Sequence, residues 1–240
     1  MNTSLSTPPL SPSVVQRLHT LNLHTVDDLQ QMGAATAFAQ LKASGLTVTS
    51  TVLWQLGALC HGVPVQQLDS DAKQALQDAY KALPPIRLPP PLVEQKSHMQ
   101  HALRQAQRAF DMGEIPIGAV VVHDGKIIAA AHNECIQQHF VGAHAEMLAL
   151  QRAGQILGTY RLSECDLYVT VEPCTMCCGA LLQSRIQRVF YGIAEAKMGA
   201  VQSQLQLQNH KSLNHHSAFF SGILANDCRL LMQNFFKSKR

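Results

Sequence analysis

The sequence predicts an α/β domain in which helices cover both faces of a sheet, preceded by a small all-α domain. Helical periodicity before a proline-rich segment, and alternating strand and helix patterns after it, are the two observations behind this prediction. A chain of 240 residues with 46% hydrophobic and 15% charged side chains is long and apolar enough to bury a core. This composition excludes a disordered chain.

The first domain, residues 1–83, has a helical pattern. Residues 25–28 (Thr-Val-Asp-Asp) have the form of a capping box, and Gly33 and Gly45 stand where helices should end. One helical face near the start collects apolar side chains: Val14, Val15, Leu18 and Leu21. We therefore expect four or five short helices.

A proline-rich segment, residues 84–92, separates the two domains. Five of the chain's 11 prolines lie between positions 84 and 91. Proline fixes φ and lacks a backbone donor, which excludes both a helix and a central strand. The sequence therefore predicts a semi-rigid linker, with the second domain spanning residues 93–240.

The second domain begins with an amphipathic helix at 94–113 and two β-rich runs at 117–122 and 126–131. Asp124-Gly125 between these runs predicts a hairpin. The remaining predicted elements are a helix opening near Ala143, a strand at 166–171, a helix at 174–183, a strand at 188–192 and a helix at 223–236. Alternation of this kind builds a sheet with helices on both faces.

Charge and thiol content limit the possible functions. The net charge of +3 is too small to indicate a nucleic-acid binder by itself, and all of the excess lies in residues 93–240. Seven irregularly spaced cysteines argue against a disulfide framework. No apolar run reaches the roughly 18 residues of a membrane helix, and no basic residue precedes Arg17 to begin a secretory signal. We expect a cytoplasmic protein that does not enter a membrane.

Two short motifs carry candidate chemistry: His144-Ala145-Glu146 and, at a second helix start, residues 173–177 (Pro-Cys-Thr-Met-Cys). A lone histidine is more often structural, and a lone Cys-x-x-Cys also fits a redox pair or two buried thiols. Together they suit zinc, because Cys174 and Cys177 share one helical face and His144 adds a nitrogen. Three protein ligands leave one coordination position for water, which is typical of a catalytic site.

Glu146 is badly placed to bind the same ion but well placed to touch that water. A zinc-activated water that loses its proton to Glu146 attacks the substrate, and Glu146 then protonates the ring and the leaving amine. The sequence therefore predicts hydrolytic deamination with one Zn²⁺ per subunit.

The second domain resembles the bacterial tRNA-specific adenosine deaminases of the cytidine deaminase-like superfamily. The matching stretches are 115–120 (Ile-Pro-Ile-Gly-Ala-Val), Asn133, 143–146, 167–177, 184–186, 191–192, 197–200 and 235–237. The resemblance implies a three-layer α/β/α fold around a mixed sheet of about five strands. It also implies zinc on His144, Cys174 and Cys177, Glu146 as proton shuttle and Asn133 beside a flipped nucleoside.

The same resemblance implies a homodimer that converts the wobble adenosine of a tRNA anticodon to inosine, with an arginine tRNA as the expected substrate. It places the C-terminal helix against the anticodon stem. The implied RNA contacts are Lys197, Phe235, Phe236, Lys237, Lys239 and Arg240. Three positions depart from the family pattern: Glu195, Gln202 and Cys178. Because of Glu195 and Gln202, the detailed structure of the loop beside the substrate stays open.

The first domain resembles the C-terminal domain of the TfoX/Sxy competence regulators. The resemblance rests on the leucine and small-residue spacing of 21–29, 32–34 and 41–46. It implies a compact module akin to helix-hairpin-helix folds. The partner of this domain stays open, because its neutral charge fits protein interaction or internal packing as well as nucleic-acid binding.

Two alternatives compete with the leading prediction, and the second of them belongs to a different class. A deaminase of a free base or nucleotide, such as guanine or cytosine, would use the same zinc and glutamate, but it has no need for Phe235-Phe236 and the basic end of the last helix. A non-catalytic zinc module has no use for Glu146 beside an open coordination position.

Overall fold

The computed structural model describes residues 3–83, 86–210 and 212–239, and the chain forms two compact units, Met1–Leu88 and Pro89–Arg240. Pro84 and Pro85 of the predicted linker lie outside the described residues. In the part of the chain that the structure describes, no helix is long and apolar enough to cross a membrane.

The first unit is helical, as predicted. Its five described helices are α1 Pro12–Thr20, α2 Val26–Met32, α3 Ala34–Ala43, α4 Ser50–His61 and α5 Ser70–Lys81. The capping box is present at the start of α2, where the Asp28 N–H donates to the Thr25 hydroxyl (3.1 Å) and the Thr25 N–H donates to the Asp28 carboxylate (2.9 Å). Gly33 ends α2 at φ 85°, a conformation that favours glycine. The core is mainly leucine, with Leu18, Leu29, Leu41 and Leu56 fully buried.

The second unit contains every element predicted for it. The helices are α6 Leu92–Asp111, α7 Cys135–Gln138, α8 Ala145–Leu157, α9 Thr175–Gln183 and α10 Ala225–Ser238. The strands are β1 Gly118–His123, β2 Lys126–His132, β3 Cys165–Val171, β4 Arg188–Ile193 and β5 Ala218–Ser221. The sequence analysis missed α7 and β5, because elements of four residues are too short to show a period.

The five strands form one mixed sheet in the order β2-β1-β3-β4-β5. Strand β1 is antiparallel to both β2 and β3, whereas β3, β4 and β5 are parallel. Asp124 (φ 48°) and Gly125 (φ 71°) join β1 to β2, and two positive φ values are what a two-residue type I′ hairpin turn requires. The predicted mixed five-stranded sheet is confirmed.

Helices cover both faces of this sheet. Val121 and Leu167 are buried in the layer formed with α8 and α9, whereas Val120 and Tyr168 are buried in the layer formed with α6 and α10. Successive residues of a strand point to opposite faces, so these apolar strands are buried on both sides. The architecture is therefore a three-layer α/β/α sandwich. The central strand β3 leads into the turn that begins α9 at the carboxyl end of the parallel strands.

Candidate active site

Two helix starts on the same face of the sheet supply the predicted donor atoms. His144 immediately precedes α8, and Cys174 immediately precedes α9, three residues after β3 ends. His144 Nδ1 lies 3.7 Å from Cys174 Sγ and 3.5 Å from Cys177 Sγ. Within 3–83, 86–210 and 212–239, this trio is the one group of three His, Cys, Asp or Glu residues whose donor atoms converge within 4.8 Å.

The distances from His144 Nδ1 to the two cysteine sulfurs fit a tetrahedral zinc centre. Zinc binds sulfur at about 2.3 Å and nitrogen at about 2.0–2.1 Å, which places neighbouring tetrahedral ligands about 3.6 Å apart. The two nitrogen–sulfur distances of 3.7 and 3.5 Å bracket this value. One imidazole nitrogen and two sulfurs also form a donor set that zinc prefers.

The electrostatics of the trio favour a thiolate. The Cys177 thiol donates a hydrogen bond to Cys174, and this bond, together with the contact to His144, lowers the pKa of Cys174 to about 4. The same bond raises the pKa of Cys177, which keeps the proton. The contact with Cys174 also raises the pKa of His144. A thiolate at Cys174 favours the binding of a cation.

Glu146, the second residue of α8, is 3% exposed and lies beside Cys177. Burial raises the pKa of this carboxyl group. Among the described residues, none forms a hydrogen bond with its Oε2 atom. A buried acceptor without a partner is costly and marks a position where a ligand or water is expected. The glutamate that the motif singled out thus faces the donor trio with one oxygen free.

Asn133 follows β2 and is 4% exposed. The next residue, Glu134, donates its backbone N–H to the Ala143 carbonyl (3.0 Å), which ties the Asn133 segment to the residue before His144. The Asn133 side chain donates from Nδ2 to Glu114 Oε2 at 3.3 Å.

Glu114 is a buried carboxylate that the sequence analysis missed. It is fully buried and accepts the backbone N–H groups of Ile136 (2.7 Å) and Gln137 (2.9 Å) in addition to the Asn133 amide. A carboxylate only accepts hydrogen bonds, so it fixes which end of the Asn133 amide points towards it. The one local signal was an acidic residue placed directly before the apolar run of β1.

The predicted RNA-contact residues lie on two separate elements and outside the donor trio. Lys197 is exposed in the loop after β4, and Phe236, 50% exposed, shares the end of α10 with the exposed Lys237 and Lys239. Phe235 is only 5% exposed and packs edge-on against Phe110, so its ring belongs to the interior. Arg240 lies outside the described residues.

Cys178, the third thiol of α9, does not join the trio. It is buried, its thiol donates to the Pro173 carbonyl (3.6 Å), and burial raises its pKa to about 12. The interpretation of this residue as a small buried side chain agrees with that position.

Comparison with known proteins agrees with the site chemistry. Residues 93–240, more than half of the chain, match the family model of the MafB19-like deaminases. The chain belongs to the MafB19-like deaminase family. The prediction of a deaminase is therefore confirmed. Residues 1–80 match the family model of the TfoX C-terminal domain, which confirms the resemblance of the first domain.

Relatives of this deaminase align along nearly their whole length. A tRNA-specific adenosine deaminase of Rickettsia bellii is 43% identical over 144 residues, which make up 59% of this chain and 99% of the relative. The enzyme of the same name from Streptococcus pyogenes serotype M1 is 42% identical over 153 residues, or 64% of this chain and 90% of the relative.

A solved structure shows the same fold. It comes from a study of A-to-I editing by tRNA:A34 deaminases at the wobble position of transfer RNA, and it matches with a TM-score of 0.55 and 38% identity over 56% of this chain and 98% of its own. The resemblance to tRNA-specific adenosine deaminases is thus confirmed in sequence and in fold.

Proposed function

We propose that this protein converts the wobble adenosine of a tRNA anticodon to inosine by hydrolytic deamination, with an arginine tRNA as substrate. The observation that carries the chemistry is the free Oε2 of buried Glu146 beside the His144, Cys174 and Cys177 trio. The choice of substrate is supported by the tRNA-specific relatives, which are 43% and 42% identical to this chain. We also propose a cytoplasmic location, which is where a tRNA substrate would be available.

The proposed metal is one zinc ion per subunit, held by His144 Nδ1, Cys174 Sγ and Cys177 Sγ. When bound, zinc supplies Lewis-acid activation of water near neutral pH. The two helix starts hold the three donor atoms, and the thiolate character of Cys174 prepares the site for a cation.

Glu146 is the proposed proton shuttle. Its Oε2 accepts a proton from the attacking water, delivers it to the ring nitrogen and assists the departure of the amine. The water oxygen bonds to the purine C6, which becomes tetrahedral. Glu146 then carries the second proton of that oxygen to the exocyclic amino group, the bond from C6 to the exocyclic nitrogen breaks, ammonia leaves, and the oxygen remains as the carbonyl of inosine. No other side chain needs to change its protonation state during these reaction steps.

Asn133 is the proposed nucleoside-binding residue. Its Nδ2 gives one hydrogen to Glu114 and its Oδ1 accepts the Cys135 thiol (3.8 Å), so the second hydrogen and the second lone pair of Oδ1 remain for the base or ribose. Because Glu114 is fully buried and fixed by two backbone N–H groups, this orientation is set before the substrate arrives.

RNA contacts outside the pocket are proposed for Lys197, Phe236, Lys237 and Lys239. Phe236 offers an exposed ring for stacking, and the lysines offer charge to phosphates. With so few cations, we expect the salt dependence of tRNA binding to be shallow.

A homodimer is also proposed. An apolar groove of about 640 Å³ lies along α8 and α9, lined by residues that include Met147, Leu150 and Ala180, and Tyr160 on its rim is strongly exposed. An apolar groove with an exposed tyrosine on its rim is a candidate contact surface, and we propose that a second copy of the chain covers it. Sedimentation at micromolar concentration tests the dimer, and replacing Tyr160 by Glu should yield monomers.

Residues 93–240 are proposed as the catalytic domain, residues 1–83 as a separate helical domain and residues 84–92 as the linker. The Rickettsia bellii relative aligns over 99% of its length with only 59% of this chain, so a deaminase needs no counterpart of the first domain. A fragment of residues 93–240 should therefore retain zinc and activity. A zinc-free, inactive fragment would contradict the assignment.

One assay tests the substrate class. The protein is incubated with an anticodon stem-loop of arginine tRNA that carries an unmodified wobble adenosine and, separately, with free adenine, guanine and cytosine. We expect inosine at the wobble position alone. Deamination of only the free bases would overturn the proposal in favour of a free-base deaminase.

A further inference from the structure

A second buried glutamate, Glu172, gathers the loop that follows β4. Glu172 comes directly after β3 and is 3% exposed. Its Oε1 accepts the backbone N–H groups of Val201 (3.0 Å), Gln202 (2.7 Å) and Ser203 (3.0 Å). Its Oε2 accepts the Glu195 N–H (2.9 Å) and the Ser203 hydroxyl. Both ends of the segment 195–203, called here the clasped loop, thus hydrogen-bond to a single carboxylate.

The middle of the clasped loop lies against the segment that leads to Cys174. The Ala200 N–H donates to the Pro173 carbonyl (2.9 Å), and Gly199 forms an antiparallel bridge with Cys174. A Cβ at Gly199 would lie 2.5 Å from the Glu172 carboxylate, so the backbone approaches too closely for any side chain. The clasped loop therefore forms one wall beside the proposed zinc ligand.

The Glu172 carboxylate is stabilised as an anion despite its burial. Burial raises the pKa of the group, but the hydrogen bonds from Gln202, Ser203 and Glu195 outweigh this effect and hold the pKa below its ordinary value. Removing the carboxylate would leave four backbone N–H groups facing each other without an acceptor. The loop could not keep this path without the acceptor oxygens of Glu172.

We propose that Glu172 is a positioning residue, whose carboxylate holds the clasped loop against Pro173-Cys174 and thereby presents Lys197 to the RNA. This role rests on the proposed function. Lys197 and Met198 are exposed at the tip of the loop, between the two clasped ends. Glu172 itself acts through the loop.

The clasp also explains why two departures from the family pattern are compatible with the site. Gln202 and Glu195 reach Glu172 through backbone N–H groups, which every residue except proline provides. The Gln202 side chain is exposed. The identity of the Gln202 side chain therefore does not decide whether the clasp forms, whereas the Glu195 carboxylate also accepts the Lys197 N–H (2.9 Å) within the loop.

The test uses the full zinc-loaded chain and three variants, Glu172→Ala, Glu172→Gln and Ser203→Ala, with Glu164→Gln as matched control. Glu164 is an exposed acidic residue before β3, and its replacement makes the same charge change as Glu172→Gln. Ser203→Ala removes only the hydroxyl donor, so a folded variant exists even if Glu172→Ala does not fold.

The first readout is hydrogen–deuterium exchange, which requires no activity. We expect exchange of the amides at 201–203 to rise about 10-fold or more in Glu172→Gln, because the neutral amide keeps one weaker acceptor oxygen and turns an NH2 group towards the Glu195 N–H and the Ser203 hydroxyl. The rise should be smaller in Ser203→Ala. The Glu164→Gln control should not change. Unaltered exchange in both Glu172→Gln and Ser203→Ala would overturn the clasp.

The second readout is the division of the effect between KM and kcat on the anticodon stem-loop. We expect KM to rise about 10-fold in Glu172→Gln while kcat changes by less than about 3-fold, because a contact outside the reacting atoms is weakened. A loosened loop with unchanged KM would show a purely structural role and overturn the positioning role. An inactive wild-type protein with a normal clasp would instead contradict the proposed function, so the two failures differ.

Discussion

Two regions of the deaminase domain contain a buried glutamate, and the two residues are used in opposite ways. Glu146 at the start of α8 and Glu172 after β3 are both 3% exposed. Glu146 has an oxygen without a partner among the described residues, and burial raises its pKa. Glu172 accepts from four backbone N–H groups and one hydroxyl, which outweigh burial and lower its pKa. At equal solvent exposure, the carboxylate that keeps this free oxygen lies deeper in the protein and is available for chemistry, whereas the carboxylate surrounded by donors holds a loop in place.

The largest effect should come from Glu146→Gln. The amide keeps the shape of the side chain but cannot take up a proton, so we expect deamination of the tRNA stem-loop to fall about 10³-fold or more with zinc content unchanged. Single-turnover rates and metal analysis of the same sample check both parts. Full activity in this variant would contradict the role of Glu146 as proton shuttle.

The free oxygen of Glu146 has a function only if the donor trio beside it holds the metal. Cys174→Ala removes one sulfur and should lower zinc content about 10-fold or more, with loss of activity. Cys178→Ala is the matched control, because Cys178 lies one residue after Cys177 in α9 but outside the trio. Equal zinc loss in both variants would contradict the ligand assignment.

Glu114 extends the comparison to a third buried carboxylate, and its donors predict that it behaves like Glu172. Glu114→Ala leaves the N–H groups of Ile136 and Gln137 without an acceptor and should destabilise the fold by about 2–3 kcal/mol in urea unfolding. Glu114→Gln keeps an acceptor for them but turns an amide towards Asn133. We expect this variant to be more stable than Glu114→Ala and still about 10-fold lower in kcat/KM. If Glu114→Gln kept the wild-type kcat/KM, the proposed role of Asn133 in substrate binding would be contradicted.

The smallest effect should come from Gln202→Ala. The substitution removes an exposed side chain and keeps the backbone N–H that Glu172 accepts. We expect kcat/KM within about 2-fold of wild type, since surface changes away from a buried contact have little effect. A larger loss would assign a direct role to the side chain.

What could be predicted from the sequence depended on how local each interaction is. The capping box at Thr25 spans four residues, and Cys174 and Cys177 lie three positions apart at the start of α9, so short motifs were sufficient for both. The donors to Glu172 lie 23 to 31 positions further along the chain, and spacing alone could not bring them together. Glu114 was missed for the same reason, because its partners lie 19 to 23 positions away.

The burial of Phe235 could not be predicted from the sequence either, because it results from tertiary contacts. Its sequence context, next to Phe236 and a basic chain end, fits an RNA-binding helix end as well as a packed one. Only the contact of its ring with Phe110, more than 100 positions earlier in the chain, shows that it belongs to the core.

The contrast between the two glutamates is tested most directly by single-turnover rates at saturating stem-loop for Glu146→Gln and Glu172→Gln, each with full zinc. Saturation removes the contribution of binding, so the rate reports the chemical step. We predict that inosine formation falls about 10³-fold or more in Glu146→Gln and by less than about 3-fold in Glu172→Gln. Equal slowing of the two variants would contradict the division between a chemical and a positioning carboxylate.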